Sequence, residues 1–419
     1  MKNLKKFFVI LAVLALCLAL VSCGNEKKTA GDETNGNNTA ETNTPVETEE
    51  ENKGPTLPEG INPDDYYKFV EFKLAEGDPR QAVVEHMRTQ AHVQWVPGND
   101  IALKNDLGTW DVDLKYERGK TYHGMIYSNL NSSYHKFVSE LEANNGKFRS
   151  DATSWEDIIG VGCCSAILNA IQQVTNDVYG ETKNFIPNGK YTRAIKLGDY
   201  EVKENSSQTD EIVAANDEQT MYEAYALLDV GDVIVKRRNG APHIRLITEK
   251  ATVVYSANGK VNPGRSYVKC IEQTNAFDNT RTDGKVTTWR EDKLYTFSDL
   301  IKSAYLPVTL AVYETPETEL PYLALKDEIT PDILAKKRLV GSVTSNYPLK
   351  HVYINLYDNN GKLVKQLVNG GMDDTFSVSL VSKATKLFED LPAGNYTLVV
   401  DAGIALGSAE MCRVEFTLQ

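Results

Sequence analysis

The hydrophobic period of this chain switches once along its central stretch, from helical to extended, and that switch limits what it can fold into. Asp64 to Leu74 and Asp78 to His92 read as helices, the second with Pro79 at a first-turn position that proline tolerates. Tyr134 to Ala143 reads as a third. The run Gly160-Val-Gly-Cys-Cys-Ser-Ala-Ile-Leu-Asn-Ala-Ile171 reads as a loop breaking into a fourth, because Ile167, Leu168, Ile171 and Val174 recur at helical spacing. Met221 to Leu228 is a short helix leading to a Gly231-Asp232 turn. Strands then dominate, at 233–236, 244–249, 252–256 and 266–273, before a closing helix from Ser298 to Ala304. Helices first and strands afterwards predict an α+β domain over residues 61–330, with helices packed on an antiparallel sheet.

A second body is expected beyond a boundary near Thr330 to Lys337, because about 360 residues exceed what one core usually serves. His351-Val-Tyr-Ile-Asn-Leu-Tyr357 alternates, with Val352, Ile354 and Leu356 on one face, and Asp358-Asn-Asn-Gly361 supplies a turn. Lys362 to Val368, Phe376 to Leu380, Gly394 to Val400 and Met411 to Leu418 add further short strands. Residues 338–419 therefore read as a small all-β sandwich.

The N-terminus carries an address. Met-Lys-Asn-Leu-Lys-Lys and the apolar stretch Phe7 to Val21 form a signal peptide over residues 1–22. The stretch is too short and wrongly flanked to be a permanent transmembrane helix. Leu20-Val-Ser-Cys23 resembles a bacterial lipobox, which implies lipidation at Cys23 and a membrane anchor at the cell surface or envelope. Two acyl chains hold stably where one is marginal. Residues 23–60 read as a disordered acidic tether, rich in Asn, Thr, Gly and Glu, with nine acids against three lysines. Loss of the signal moves the net charge from −13 to −16, which argues against nucleic acid as a partner.

After Cys23 only Cys163, Cys164, Cys270 and Cys412 remain, too few for a disulfide scaffold, although a Cys163–Cys270 bond stays open. No Cys/His spacing resembles a zinc site, and neither a metal nor a cofactor is expected. A thiol at a helix N-terminus feels the positive end of the macrodipole and unpaired backbone N–H groups, which favour thiolate. Cys164 is the candidate nucleophile and Cys163 its competitor. His243, heading the run Ile244 to Ile247, is the candidate base. Glu272, on the strand expected at 266–273, is the candidate orienter that would fix the imidazole tautomer. Strand alternation puts only one of Glu272 and Gln273 on the site side. His86, His92, His123, His135 and His351 fit no constellation.

Short motifs in their order resemble NlpC-type cell-wall peptidases. Cys164-Ser165 at a helix start is similar to their Asp-Cys-Ser-Gly motif. Leu228-Asp-Val-Gly-Asp-Val-Ile-Val235 resembles the Gly-Asp that opens a strand, Pro242-His-Ile-Arg-Leu-Ile247 the His strand, and Tyr122-His-Gly-Met-Ile-Tyr127 the Tyr-bearing stretch that lines the pocket. Glu272-Gln-Thr-Asn275 is closer to the related CHAP amidases. The resemblance spans roughly residues 120–310 and implies a papain-like domain with Cys164, His243 and Glu272 in catalysis. It places Tyr127, Ser165, Gln273 and Asn275 around the substrate or oxyanion, with the Cys164 backbone N–H as an oxyanion donor. Cys163 stands where the family has Asp, Ala166 where it has Gly, and Arg245 where it has a small residue. Gly341 to Pro348, Tyr357 to Gly361 and Leu391 to Thr397 resemble an immunoglobulin-like module found at the ends of secreted wall hydrolases.

The function expected is a monomeric, surface-anchored thiol amidohydrolase or endopeptidase acting on peptidoglycan peptides or another accessible amide. The alternative is a non-catalytic lipoprotein with a degenerate papain-like domain that binds wall polymer or protein. A transglutaminase-like acyl transferase would want an Asp partner and an aromatic near the strand His, which Arg245 and Leu246 do not supply.

Overall fold

Helix α1 (Pro79–His92) starts where Asp78 accepts the Arg80 backbone N–H at 2.9 Å and proline supplies a preset φ. Its Val83, Val84, Met87 and Ala91 recur three and four apart and are all buried. A computed structural model of the chain describes residues 54–104, 114–190, 193–238 and 241–419. The signal peptide, Cys23 and the tether up to residue 53 lie outside the described residues. Helix α2 (Tyr134–Ala143) is capped by Ser133, whose hydroxyl accepts the Lys136 N–H at 3.2 Å. Helix α3 (Cys163–Ile171) packs on α1, and the buried Gln90 amide joins the two by donating to the Ala166 carbonyl at 2.9 Å.

The chain is α+β. A six-stranded antiparallel sheet backs α1 and α3, in the order Trp289–Thr296, Tyr267–Gln273, His243–Thr252, Val233–Lys236, Leu306–Leu310, Ala194–Lys196. Its register sets Lys236 opposite His243 and Ile271 opposite Leu246. The strand expected at 252–256 is absent beyond Thr252; Tyr255 makes only an isolated bridge to Val261. The Gly231-Asp232 turn needs its glycine, which sits at φ +82°, and a Cβ there would lie 2.8 Å from the Tyr313 hydroxyl.

Asp232 is buried and accepts from Arg80 at 2.8 Å, Thr309 at 2.6 Å and the Asp229 N–H at 2.8 Å. Burial raises its carboxyl above the usual range even against these partners. Asp232→Ala strips a buried acceptor from Arg80, which keeps part of its surface in water. Chemical denaturation should therefore show a loss of about 2–3 kcal/mol, discounted from the cost of breaking a fully buried pair. An unchanged midpoint would refute this role.

A second core begins at Leu323 rather than at the boundary expected near residues 330–337. Two four-stranded antiparallel sheets enclose it. One runs Lys68–Glu71, Tyr322–Leu325, Ser342–Ser345, Ser377–Ser379; the other runs Leu363–Gly370, His351–Asp358, Gly394–Ile404, Gly407–Leu418. Leu323, Leu325, Val343 and Val378 from the first meet Val352, Ile354, Leu356 and Val400 from the second.

The helix expected from Asp64 to Leu74 is instead a single 3-10 turn, Pro63–Asp65, followed by the strand Lys68–Glu71. Phe69 and Val70 favour extended backbone, and the open edge of Tyr322–Leu325 satisfies that strand's hydrogen bonds. Phe69 also stacks on Tyr322 with ring centroids 4.9 Å apart. Residues 54–60, expected within the tether, lie on this body, where the Thr56 N–H donates to the Thr318 carbonyl at 2.9 Å.

The two cores are packed together, and residues 54–419 form one compact unit. Strand His351–Asp358 is buried at every residue from His351 to Leu356, on both faces, where simple alternation predicts one solvated face. Lys136 of α2 lies over the Tyr353 ring, 4.5 Å from its centroid. Gln173, just past α3, donates to the Ala405 carbonyl at 3.1 Å.

Candidate active site

The site forms where α3 points its N-terminus at the strand led by His243. Gly162 precedes the helix and has no side chain to cap it, so the first-turn N–H groups of α3 lack intrahelical acceptors. Gly160 permits the approach of the loop, because a Cβ there would lie 2.3 Å from the Ile126 carbonyl oxygen. The neighbouring Tyr127 and Val161 make a parallel bridge, which sets the Tyr127 ring beside the helix start. That ring meets Trp155 edge-on, with centroids 5.1 Å apart.

Successive helical side chains diverge by roughly 100°, so only one of two adjacent thiols can face the sheet. It is Cys163, which lines one cleft together with His243 and raises that imidazole. The His243 Nε2 donates to Glu272 Oε2 at 2.5 Å, which leaves Nδ1 as the ring nitrogen open to a thiol. The expected pairing of Cys164 with His243 is therefore not made. Cys164 turns away from His243 and lines the other cleft, with its sulfur 4.0 Å from the Gly180 carbonyl oxygen. Burial pushes its thiol well above the ordinary range, and Cys163 and Asp373 push the same way.

Glu272 is almost wholly buried and holds three donors. Besides His243 it accepts from Arg245 Nε at 2.8 Å and from the Tyr295 hydroxyl. Burial alone would raise its carboxyl, but the hydrogen bond and charge of His243, with Arg245 beside it, hold it well below the usual carboxylate range. Burial works against charge on His243 too. Its contacts with Cys163 and Glu272 outweigh that and raise it to about 9. Arg245 lies between two rings, 3.7 Å from the Tyr295 centroid and 4.5 Å from that of Tyr305.

These directions fix a pH dependence. His243 is raised from 6.5 to about 9, so its contribution to stability is complete below 6.5 and is lost as pH climbs through 9. Glu272 is lowered from 4.5, so its contribution is complete above 4.5 and is lost as pH falls through its native value. Melting temperature should decline on the alkaline side of that window, and His243→Gln should flatten that limb. A wild-type alkaline limb that the substitution leaves in place would contradict the assignment.

Two clefts flank Cys163, and both are lined by Tyr127, Cys163 and Pro242. One, of about 390 Å³, carries His243, Arg245, Glu272, Asn275, Lys236 and Lys293. The other, of about 420 Å³, carries Asn131, Gly180, Glu181, Arg237, Gly371 and Asp374. Of the remaining expected site residues, Tyr127 and Asn275 line the clefts. Ser165 is buried and donates to Asp373 Oδ1 at 3.1 Å, so its hydroxyl is committed to the protein. The Gln273 side chain is likewise occupied, donating to the Met125 carbonyl at 2.8 Å and accepting from Thr288 at 2.9 Å.

Arg245, Tyr295 and Asp373 were not singled out for the site from the sequence. Arg245 was within reach, since alternation puts it on the face of His243. The four cysteines among the described residues are all free, so the Cys163–Cys270 bond is not formed. Among the described residues, no group of three or more His, Cys, Asp or Glu could hold a metal ion, and no helix is long and apolar enough to cross a membrane.

Fold and site together define an α+β chain with a Cys–His–Glu constellation between two clefts. No family model matches this chain, and no curated protein does. A solved structure of a tetra-tandem repeat in the extending region of a large adhesion protein is similar at 12% identity, covering 45% of this chain and 66% of its own, with a TM-score of 0.15. A likeness that slight carries no argument here.

Proposed function

We propose that this protein is a thiol amidohydrolase or endopeptidase of the papain-like type, with Cys163 as nucleophile, His243 as acid–base and Glu272 as orienter. The observation that carries this reading is one cleft lined by Cys163, His243 and Glu272, in which His243 Nε2 donates to a buried Glu272 that also accepts from Arg245 and Tyr295. The sulfur attacks an amide carbonyl, and the C–N bond breaks as His243 gives its proton to the leaving amine. Water, deprotonated by the now neutral His243, then cleaves the thioester and restores the thiol. In this reading the Cys163 backbone N–H and the Tyr127 hydroxyl donate to the oxyanion.

Arg245 takes the position of a small residue in the NlpC-like pattern, and its bond to Glu272 stiffens the carboxylate that orients His243. Taking Cys163 as the nucleophile gives up the Cys164-Ser165 match to the Asp-Cys-Ser-Gly motif, since Gly162, Cys164 and Ser165 then stand at its other three positions. The signal-like N-terminus and Cys23 support a lipid-anchored enzyme at the envelope, with wall peptide as the amide in reach. The test is release of new amines from purified peptidoglycan by the full chain. Activity should fall as pH rises through about 9, where His243 loses the proton it must deliver. No release from wall or from a panel of peptide amides would overturn the reading.

A further inference from the structure

We infer that the second body is part of the active site, with Asp373, held by the buried Lys350, acting as a positioning residue for the helix that carries Cys163. The term active site rests on the hydrolase reading above; the positioning does not.

Asp373 lies in the turn between the strands Leu363–Gly370 and Ser377–Ser379 of the second body, yet its carboxylate and its backbone carbonyl both reach the first. Its Oδ1 accepts the Ser165 hydroxyl at 3.1 Å, two residues along α3 from Cys163. Its backbone carbonyl accepts the Gly180 N–H at 2.6 Å, and two residues earlier the Gly371 N–H donates to the Leu130 carbonyl at 2.7 Å. Leu130, Ser165 and Gly180 belong to three separate segments around Cys163, and this one turn ties all three. Gly370 lets the turn in, since a Cβ there would lie 2.7 Å from the Leu130 side chain. Gly371, Asp373 and Asp374 also form one wall of the larger cleft.

Lys350 is wholly buried and ion-paired to Asp373. Its backbone N–H donates to the Gly403 carbonyl at 2.7 Å, which fastens it to the central strand Gly394–Ile404 of the second sheet. A fixed path therefore runs from that sheet through Lys350 and Asp373 to Ser165. A buried ion pair is weak support for stability as such, because apolar residues of similar volume can replace it. What they cannot replace is the bond to Ser165, which sets the roll of α3. Roll matters because it decides which thiol meets His243, and a misplacement of about 1 Å can cost roughly 100-fold in rate.

The experiment compares full-length wild type, Lys350→Met/Asp373→Leu and Ser165→Ala. It measures melting temperature, iodoacetamide alkylation at Cys163 resolved by mass spectrometry, and kcat and KM for amine release. The paired variant should melt near wild type, alkylate Cys163 about tenfold more slowly and lose kcat with little change in KM. Ser165→Ala, which removes one hydroxyl, should shift alkylation the same way and decides the matter if the paired variant does not fold. Wild-type alkylation in a folded variant of either kind would overturn the proposal. Slow alkylation in the variants beside a wild type that releases no amine would uphold the positioning and reject the hydrolase.

Discussion

Cys163→Ala is expected to lower amine release by at least about 10³-fold, while Cys164→Ala keeps activity within about tenfold of wild type. The two residues are neighbours in sequence with the same chemistry, so the contrast isolates geometry. Cys163 shares a cleft with an imidazole that Glu272 holds by its Nε2. Cys164 faces Gly180 and the second body, and its surroundings keep it protonated at neutral pH. Removing Cys163 takes away the sulfur that shares a cleft with His243. Removing Cys164 takes away a small packed side chain, whose cost is felt in stability. Peptide mapping after brief iodoacetamide treatment should show the adduct on Cys163. Loss of activity confined to Cys164→Ala would require a different rotation of α3 and would end the present assignment.

The largest expected effect on stability is that of Glu272→Ala, at about 3–5 kcal/mol, because it leaves the part-buried Arg245 charge without its carboxylate. The His243 Nε2 proton and the Tyr295 hydroxyl lose their acceptor as well. Glu272→Gln keeps the shape and an acceptor oxygen but not the charge, so it should cost less. With either substitution His243 loses a contact that raises it from 6.5 to about 9, and the alkaline limb of activity should move to lower pH. Urea unfolding with unchanged m-values checks the first effect, and a pH–rate profile the second. A Glu272→Ala protein of wild-type stability would show that Arg245 finds water or another partner, and the buried network would lose its meaning.

Much of the site could be read along the chain. Strand position, with the family resemblance, points to His243 and Glu272, since alternation and a turn at Gly231-Asp232 are local properties. The choice between Cys163 and Cys164 was not local. It depends on the roll of α3, which is set by Gln90 on one side and Asp373 on the other, residues far away in sequence. The strand Trp289–Thr296, which brings Tyr295 to Glu272, escaped notice because Arg290, Glu291, Asp292 and Lys293 interrupt its hydrophobic alternation. The N-terminal segment from Asp64 misled for a related reason. Its aromatic and aliphatic residues fit a helix face as well as a strand, and only the free edge of Tyr322–Leu325 chose between them.

By itself the sequence determined the α+β class, the helical start at the cysteine pair and the strand that bears His243. These follow from periodicity, capping and turn chemistry acting over a few residues. Tertiary structure alone decided which thiol meets the imidazole, how Arg245 and Tyr295 complete the buried carboxylate, and that the second body closes one wall of the cleft. Those outcomes turn on how rigid elements rotate and dock, and the contacts that fix rotation come from parts of the chain that no local pattern relates.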